Sequence, residues 1–191
     1  MTLTELAVAC RTYRRFTQEK VPQELLAMMV ENARISNSAM NMQPLRYTVV
    51  RDPELVAGMQ PLVHWAAKLP KEIGTPKEGE QPTAFIVIAT EGRETPYTNI
   101  DVGIAVRTMT LTACEGGVGS CIMGNVNVKK VQELLDMPES WTTKLVLALG
   151  YPDHASVVVD LPENGDTSYY VNEDRDYFVP KRSQEDIVLW R

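Results

Sequence analysis

The chain has 191 residues, 44% of them hydrophobic and 23% charged, with a formal net charge of -6; this is the profile of a globular chain with one sizeable core, and a single domain over 1–191 is expected. The acidic balance disfavours non-specific nucleic-acid binding, which needs an extended basic surface. The longest apolar runs, FIVIA from Phe85 and LVLALG from Leu145, are far shorter than the roughly 18 residues of a bilayer span, so no membrane association is expected.

The opening MTLTELAVAC has no basic segment followed by an apolar one, and a cytoplasmic protein is expected. Leu3, Leu6, Ala7 and Cys10 recur at helical spacing and predict a short amphipathic helix, which ends where CRTYRRF, Cys10 to Phe16, begins. Val21-Pro22 opens a second helix with Leu25, Leu26, Met29, Val30 and Ala33 on one stripe. NSAMNMQP, Asn37 to Pro44, breaks that pattern and predicts a loop. RYTVVR, Arg46 to Arg51, reads as a strand, and Asp52-Pro53 starts helical material expected to reach about Ala67. The proline- and charge-rich segment from Pro70 to Pro82 predicts an exposed loop.

TAFIVIAT, Thr83 to Thr90, is a continuous apolar run of the kind that forms a strand covered on both faces. A long helix follows from about Asn99 to Glu115, with Ile100, Ile104, Thr108 and Leu111 predicted on one apolar face and Ala105 and Ala113 permitting close packing. GGVGSCIMG then turns into a strand, a charged helix covers Lys129 to Leu135, and KLVLALGYP, Lys144 to Pro152, is a further strand. Residues 160–191 mix charge with aromatics, and this tail is expected to pack on a partner subunit. Helices alternate with about four or five strands, which gives an α/β or α+β class with helices covering a mixed sheet.

Most motifs that would carry chemistry fail on spacing. Cys10, Cys114 and Cys121 are odd in number and lack CxxC spacing, and His64 and His154 sit in no metal-binding pattern, so no disulfide framework and no metal site is expected. The glycines of GGVGS follow a helix and precede a strand, the reverse of a dinucleotide fingerprint, and read as a helix C-cap. No GxSxG elbow is present, which leaves hydrolysis unsupported. Tyr169, Tyr170, Tyr177 and Trp190 suit a planar ligand or a packed tail, and the second use is expected. Three arginines, Arg11, Arg14 and Arg15, remain within seven residues of an acidic chain. On the residues alone they are either a solvated charge run or a pocket for one anion.

CRTYRRF with its Val-Pro helix, ARISNSAMNMQPLRYTVV, DVGIAVRTMTLTACEGGVGSCIMG, LALGYP and VPKRSQEDIV stand in this order over nearly the whole chain. Together they resemble the nitroreductase family of flavin-dependent oxidoreductases, and within it a small subgroup with an RSYRRF-like N-terminal motif and a C-terminal VPKR. The resemblance implies an α+β nitroreductase fold with a central mixed sheet covered by helices, in an intertwined homodimer with FMN sites built by both subunits.

Carried over by motif, the resemblance implies that Arg11, Thr12 and Arg14 hold the phosphate, the ribityl end and the pyrimidine edge of FMN. It implies that Lys181 and Arg182 close on the phosphate, and that Ser38, Ala39 and Asn41, with Gln43 and Pro44 beside them, approach the flavin from the other subunit. Met123 and Gly124 would present backbone near flavin N5. Cys10 departs from the basic or polar residue of many relatives, and Asn37-Ser38 from their Pro-Ser. The implied activity is ping-pong hydride transfer from NADH or NADPH through FMN to a nitroaromatic, quinone or similar flat small-molecule acceptor, with no side-chain acid or base required. A flavin-binding protein with a storage, sensing or other non-redox role is the alternative.

Overall fold

The centre of the molecule is a pair of antiparallel strands, β2 (Ala84–Glu91) and β4 (Trp141–Gly150), in a computed structural model that describes residues 1–191. β1 (Leu45–Val50) adds antiparallel to β2 and β3 (Gly119–Met123) antiparallel to β4, giving the order β1-β2-β4-β3. Alternation along β2 and β4 sends Ile86, Ile88, Leu147 and Leu149 to one face and Phe85, Val87, Val146 and Ala148 to the other. The first face is covered by α2 (Gln23–Arg34) and α5 (Thr98–Glu115), through Leu26, Met29, Ala105 and Met109. The second is covered by α3 (Pro53–Met59) and α6 (Val128–Leu134), through Val56, Met59 and Val131. Burial on both faces is what the uninterrupted FIVIA and LVLAL runs require, and each fully buried large side chain contributes roughly 1.5–3 kcal/mol.

The N-terminal segment is seated on this sheet by two glycines. α1 (Leu3–Ala9) is closed by a capping box between Thr2 and Glu5 and ends at Cys10. The chain then runs extended beside β3, with a parallel bridge from Thr12 to Ser120, and reaches Pro152 through an antiparallel bridge from Phe16. A Cβ at Gly119 would come within 2.8 Å of the Tyr13 ring, and one at Gly150 within 2.8 Å of Phe16. Phe16 is fully buried as a result. The glycine that closes β4 is therefore a seat for an aromatic side chain, and so is the one that opens β3.

The last third of the chain forms a second sheet. β5 (Ser156–Asp160) pairs parallel with β7 (Tyr177–Lys181), and β6 (Tyr170–Val171) pairs antiparallel with β7. The strand pairing is thus mixed over the chain as a whole, but the parallel ladder lies outside the four central strands. Seven strands stand where about four or five were expected; β6 and β7 lie in the tail, whose aromatics suppress the alternation that marks a strand, and the short β5 lies just ahead of it. Part of that tail is tied to the rest of the chain, because β7 pairs with β5 and Arg15 donates to the carbonyl of Asp174 (3.1 Å) as well as to that of Asp153 (3.0 Å) ahead of the tail. Residues 162–167 and those beyond Lys181 are largely exposed, Ile187, Leu189 and Trp190 among them.

Three sequence expectations change. The helix from Asp52-Pro53 stops at Met59 and passes through a 3-10 turn, Gln60–Leu62, instead of reaching Ala67. Pro61 lacks the N–H that continuation needs, and Val63 is bridged to Val126 instead. The predicted apolar face of α5 is its outer one: Ile100 is 56% exposed and Ile104 36%, while Val102, Ala105, Val106, Met109 and Ala113 face the core. The small residues let α5 pack close to the sheet. The 70–82 segment contains a one-turn helix, α4 (Lys71–Gly74), and is tied down by Arg175, which donates to Glu80 (2.8 and 3.0 Å) and to the carbonyls of Ile73 and Thr75.

Replacing Gly150 by alanine tests the seat. We expect the variant to lose about 1–3 kcal/mol, the usual penalty of overpacking, as a lowered denaturation midpoint; an unchanged midpoint contradicts the seating of Phe16.

Candidate functional site

A cavity of about 170 Å³ opens where the CRTYRRF segment, α5, β3 and the second sheet meet. Four cations line it, Arg11, Arg14, Arg107 and Lys181, and no carboxylate does. None of the four takes part in the ion pairs of the chain, which use Arg34, Arg46, Lys129, Lys144 and Arg175. The buried Nε atoms of Arg11 and Arg14 have no hydrogen-bond partner, as is also true of Arg15 and Arg175 outside the cavity, and at the cavity wall such donors can meet an acceptor. Thr12, Thr110 and Ser120 add hydroxyls. This donor set suits a phosphate group, which offers several acceptor oxygens and a charge near -2. A larger recess of about 580 Å³, around Lys20, Arg51 and Asp52, mixes both signs of charge and has no such cluster.

Arg14 is the most firmly fixed of the four. Its guanidinium lies over the rings of Tyr169 and Tyr177, 4.8 and 4.7 Å from their centroids, and stacks favourably on both. Its backbone N–H donates to His154 Nε2 at 2.9 Å. That contact leaves the ring proton on Nδ1, which is 2.8 Å from the Ala155 carbonyl and donates to it. Burial, the neighbouring charge of Arg15 and then that of Arg14 push the His154 pKa below its ordinary value, although the Ala155 bond opposes them. Arg15 points elsewhere, to the tail carbonyls, so the three arginines of the motif divide into two ligand-facing cations and one structural tie.

On the α5 wall, Cys10 is buried at 7% exposure and donates weakly to the Thr110 carbonyl at 3.4 Å. Arg107 Nη1 donates to Cys10 Sγ at 3.2 Å. Arg11 is partly engaged, its Nη2 donating to the Ala7 carbonyl at 2.6 Å. Burial pushes up the thiol pKa of Cys114, and so does Cys10 beside it, against the opposing charges of Arg107 and Arg11.

The NSAMNMQP loop lies at the other end of α5. Met40, Asn41 and Gln43 all have positive φ, at 51°, 53° and 50°, a left-handed conformation that non-glycine residues adopt at a cost. Asp101, 2% exposed in the first turn of α5, accepts from Ser38 Oγ at 2.8 Å and from the Ala39 N–H at 2.9 Å. Ser38 Oγ in turn accepts from the Gln43 N–H at 3.0 Å. Burial, with the Asp101 charge, raises the Tyr47 pKa to about 12.

Of the residues singled out from the sequence, Arg11, Thr12, Arg14 and Lys181 come together in the cation cavity. Arg182, one residue further on, is exposed and does not line it. Ser38, Gln43 and Pro44 line a separate recess with Asp101; Ala39 and Asn41 are in the same loop. Met123 turns its side chain into the core, while Gly124 is open, with nothing within 4 Å of where a Cβ would stand. Sequence reasoning missed Arg107, Thr110, Ile122 and Asp101. Arg107, Thr110 and Cys114 recur at helical spacing on one side of α5, and Ile122 shares a strand face with Ser120, being 52% exposed on the cavity side.

The fold and this cavity define an α+β protein built to receive a phosphate-bearing ligand. The chain belongs to the nitroreductase family, whose sequence profile matches residues 8–151. It is 26% identical over 165 residues to an iodotyrosine deiodinase of Thermotoga neapolitana, covering 79% of this chain and 89% of that one. It is 28% identical over 183 residues to an NAD(P)H-dependent FMN reductase of Bacillus subtilis, with 86% and 72% covered. Among solved structures it is similar to oxidized iodotyrosine deiodinase bound to FMN and 3-iodo-L-tyrosine, at a TM-score of 0.66 and 25% identity over 90% of this chain and 96% of that one.

The His154 contact predicts a pH dependence. Folding holds the imidazole neutral, so its contribution to stability is complete above the free value of about 6.5 and is lost as the pH falls through the lower folded value. In denaturation midpoints measured between about pH 7.5 and about pH 5.5, the wild type should lose stability more steeply than His154→Gln. Parallel curves contradict the assignment.

Proposed function

We propose that the protein is an FMN-dependent oxidoreductase that takes hydride from NADH or NADPH and delivers it, in ping-pong order, to a flat acceptor such as a nitroaromatic or a quinone. The observation that carries this reading is the cavity of four cations without a carboxylate, in a chain of the nitroreductase family. The names of the FMN reductase and of the FMN-bound deiodinase among its relatives support the cofactor. Bound FMN supplies the chemistry, accepting a hydride at its ring nitrogen N5 and passing the electrons on.

The protein's own residues bind and orient. Arg11, Thr12 and Lys181 hold the phosphate and ribityl end from the cavity wall, and Arg182, exposed just outside it, closes on the phosphate from the C-terminal segment. Arg14, held by two tyrosine rings, keeps a fixed positive charge at the electron-rich edge of the flavin, where a pre-set charge costs no reorganisation. Met123 and Gly124 give the ring a backbone edge to lie against, and the open space at Gly124 favours that approach. Ser38, Ala39 and Asn41 serve the flavin of a second protomer. Homodimerisation is supported by the exposed apolar residues Met28, Ile35, Met40, Ile100 and Ile104 on α2, the loop and α5, and the residues beyond Lys181 pack on the partner. We also propose a cytoplasmic location; no helix is long and apolar enough to cross a membrane.

Two experiments test these statements. The purified protein should bind FMN with its visible absorbance and lose that colour rapidly with NADH or NADPH under anaerobic conditions. No uptake of FMN contradicts the cofactor, and uptake without bleaching leaves a binding role only. An acceptor panel under turnover should include 3-iodotyrosine, given the deiodinases among the relatives. In the second experiment, Ile100→Glu with Ile104→Glu should convert a dimer to a monomer in sedimentation and weaken FMN binding by at least about tenfold. A monomeric wild type with full FMN affinity contradicts the shared site.

A further inference from the structure

Two of the four cations in the cavity are exposed, Arg107 on α5 and Lys181 at the end of β7, and two are partly buried, Arg11 and Arg14. The partly buried pair is already engaged. Arg11 donates to the Ala7 carbonyl and Arg14 lies against two tyrosine rings. Arg107 is in a different position, because its one side-chain contact is with the Cys10 thiol at 3.2 Å. Thiol sulfur is a weak acceptor, whereas a phosphate oxygen meets a guanidinium through a short charge-assisted bond that two N–H groups can share. A guanidinium resting on sulfur at the edge of a cavity with three other cations has no counter-charge of its own.

Placement argues in the same direction. A solvated arginine on an outer helix face would stand among mixed charges, as Lys129 does beside Glu133 and Arg34 beside Glu31. Arg107 instead occupies the one side of α5 that faces the CRTYRRF segment, one turn before Thr110, which also lines the cavity. Cys10 stands at the exit of α1 where a longer side chain would meet the Arg107 guanidinium. Its small, buried side chain leaves that position to α5.

We propose that Arg107 is a phosphate-binding residue of this site, reaching across from α5 to supply, next to Cys10, a cation that the N-terminal motif itself does not provide there. The assignment rests on the FMN reading above. It makes affinity depend on the phosphate: Arg107 strengthens the binding of FMN and contributes nothing to riboflavin, which has the same ring and ribityl chain without the phosphate.

The test uses flavin-free full-length protein titrated with FMN and with riboflavin, followed by quenching of flavin fluorescence at low ionic strength. Arg107→Gln should bind FMN about 10- to 100-fold more weakly, the range expected for losing one hydrogen bond to a charged group, and should bind riboflavin as the wild type does. Arg107→Lys, which keeps the charge but not the two-pronged geometry, should fall between them. Unchanged FMN affinity in Arg107→Gln overturns the proposal. So does an equal loss for both flavins, which marks a structural role, and so does a lysine variant as weak as glutamine. A wild type that binds neither flavin overturns the FMN reading itself, and this assignment with it.

Discussion

Four positive charges held around one small cavity without a carboxylate repel one another, and the rest of the site depends on how the fold sustains that repulsion. Like charges gathered near a protein surface oppose one another, and water screens the exposed Arg107 and Lys181 more than the partly buried Arg11 and Arg14. Here the backbone between the arginines is clamped first. Tyr13 sits on Gly119 and Phe16 on Gly150, with the Tyr13 N–H donating to the Ser120 carbonyl at 2.9 Å. Burial of Phe16 and the ladder to β3 fix Arg11 and Arg14 in place, and the tyrosines of the second sheet partly neutralise Arg14 through their ring faces.

α5 ties the parts of the site together. Its core side, through Ala105 and Met109, packs on the sheet; its first turn, through Asp101, pins the strained NSAMNMQP loop; its middle, through Arg107 and Thr110, forms a wall of the cation cavity. A helix sets these positions at 1.5 Å per residue, so the loop and the cavity keep a fixed spacing. The same helix leaves Ile100 and Ile104 on its outer surface.

The sequence carried the central sheet plainly, because strands buried on both faces are continuous apolar runs, and it carried the helices α2 and α5 through their spacing. It also carried Arg11, Thr12, Arg14 and Lys181, since charge clusters and ordered motifs survive in one dimension. Other features were hidden for physical reasons. Both sides of α5 offer apolar residues, so periodicity alone chose Ile100 and Ile104 for the core, where the close approach to the sheet takes alanine and valine. Arg107 is 97 residues from Cys10 in the chain, and only tertiary packing brings the guanidinium to the thiol. GGVGS was legible as the cap of α5, which Gly116 forms, but not the space its glycines give to Leu25 and Tyr13. Asp101 was lost in an apolar helix because its partners are a serine hydroxyl and a backbone N–H, which leave no mark of charge complementarity.

The central claim is that the cavity, lined by four cations and no carboxylate, is an anion site. The most direct measurement is the melting temperature of flavin-free protein with added FMN, riboflavin or inorganic phosphate at one fixed ionic strength, so that screening is held constant. The account predicts the largest rise with FMN, a smaller rise with phosphate and the smallest with riboflavin. Riboflavin stabilising as well as FMN, with phosphate no better than chloride, would contradict it.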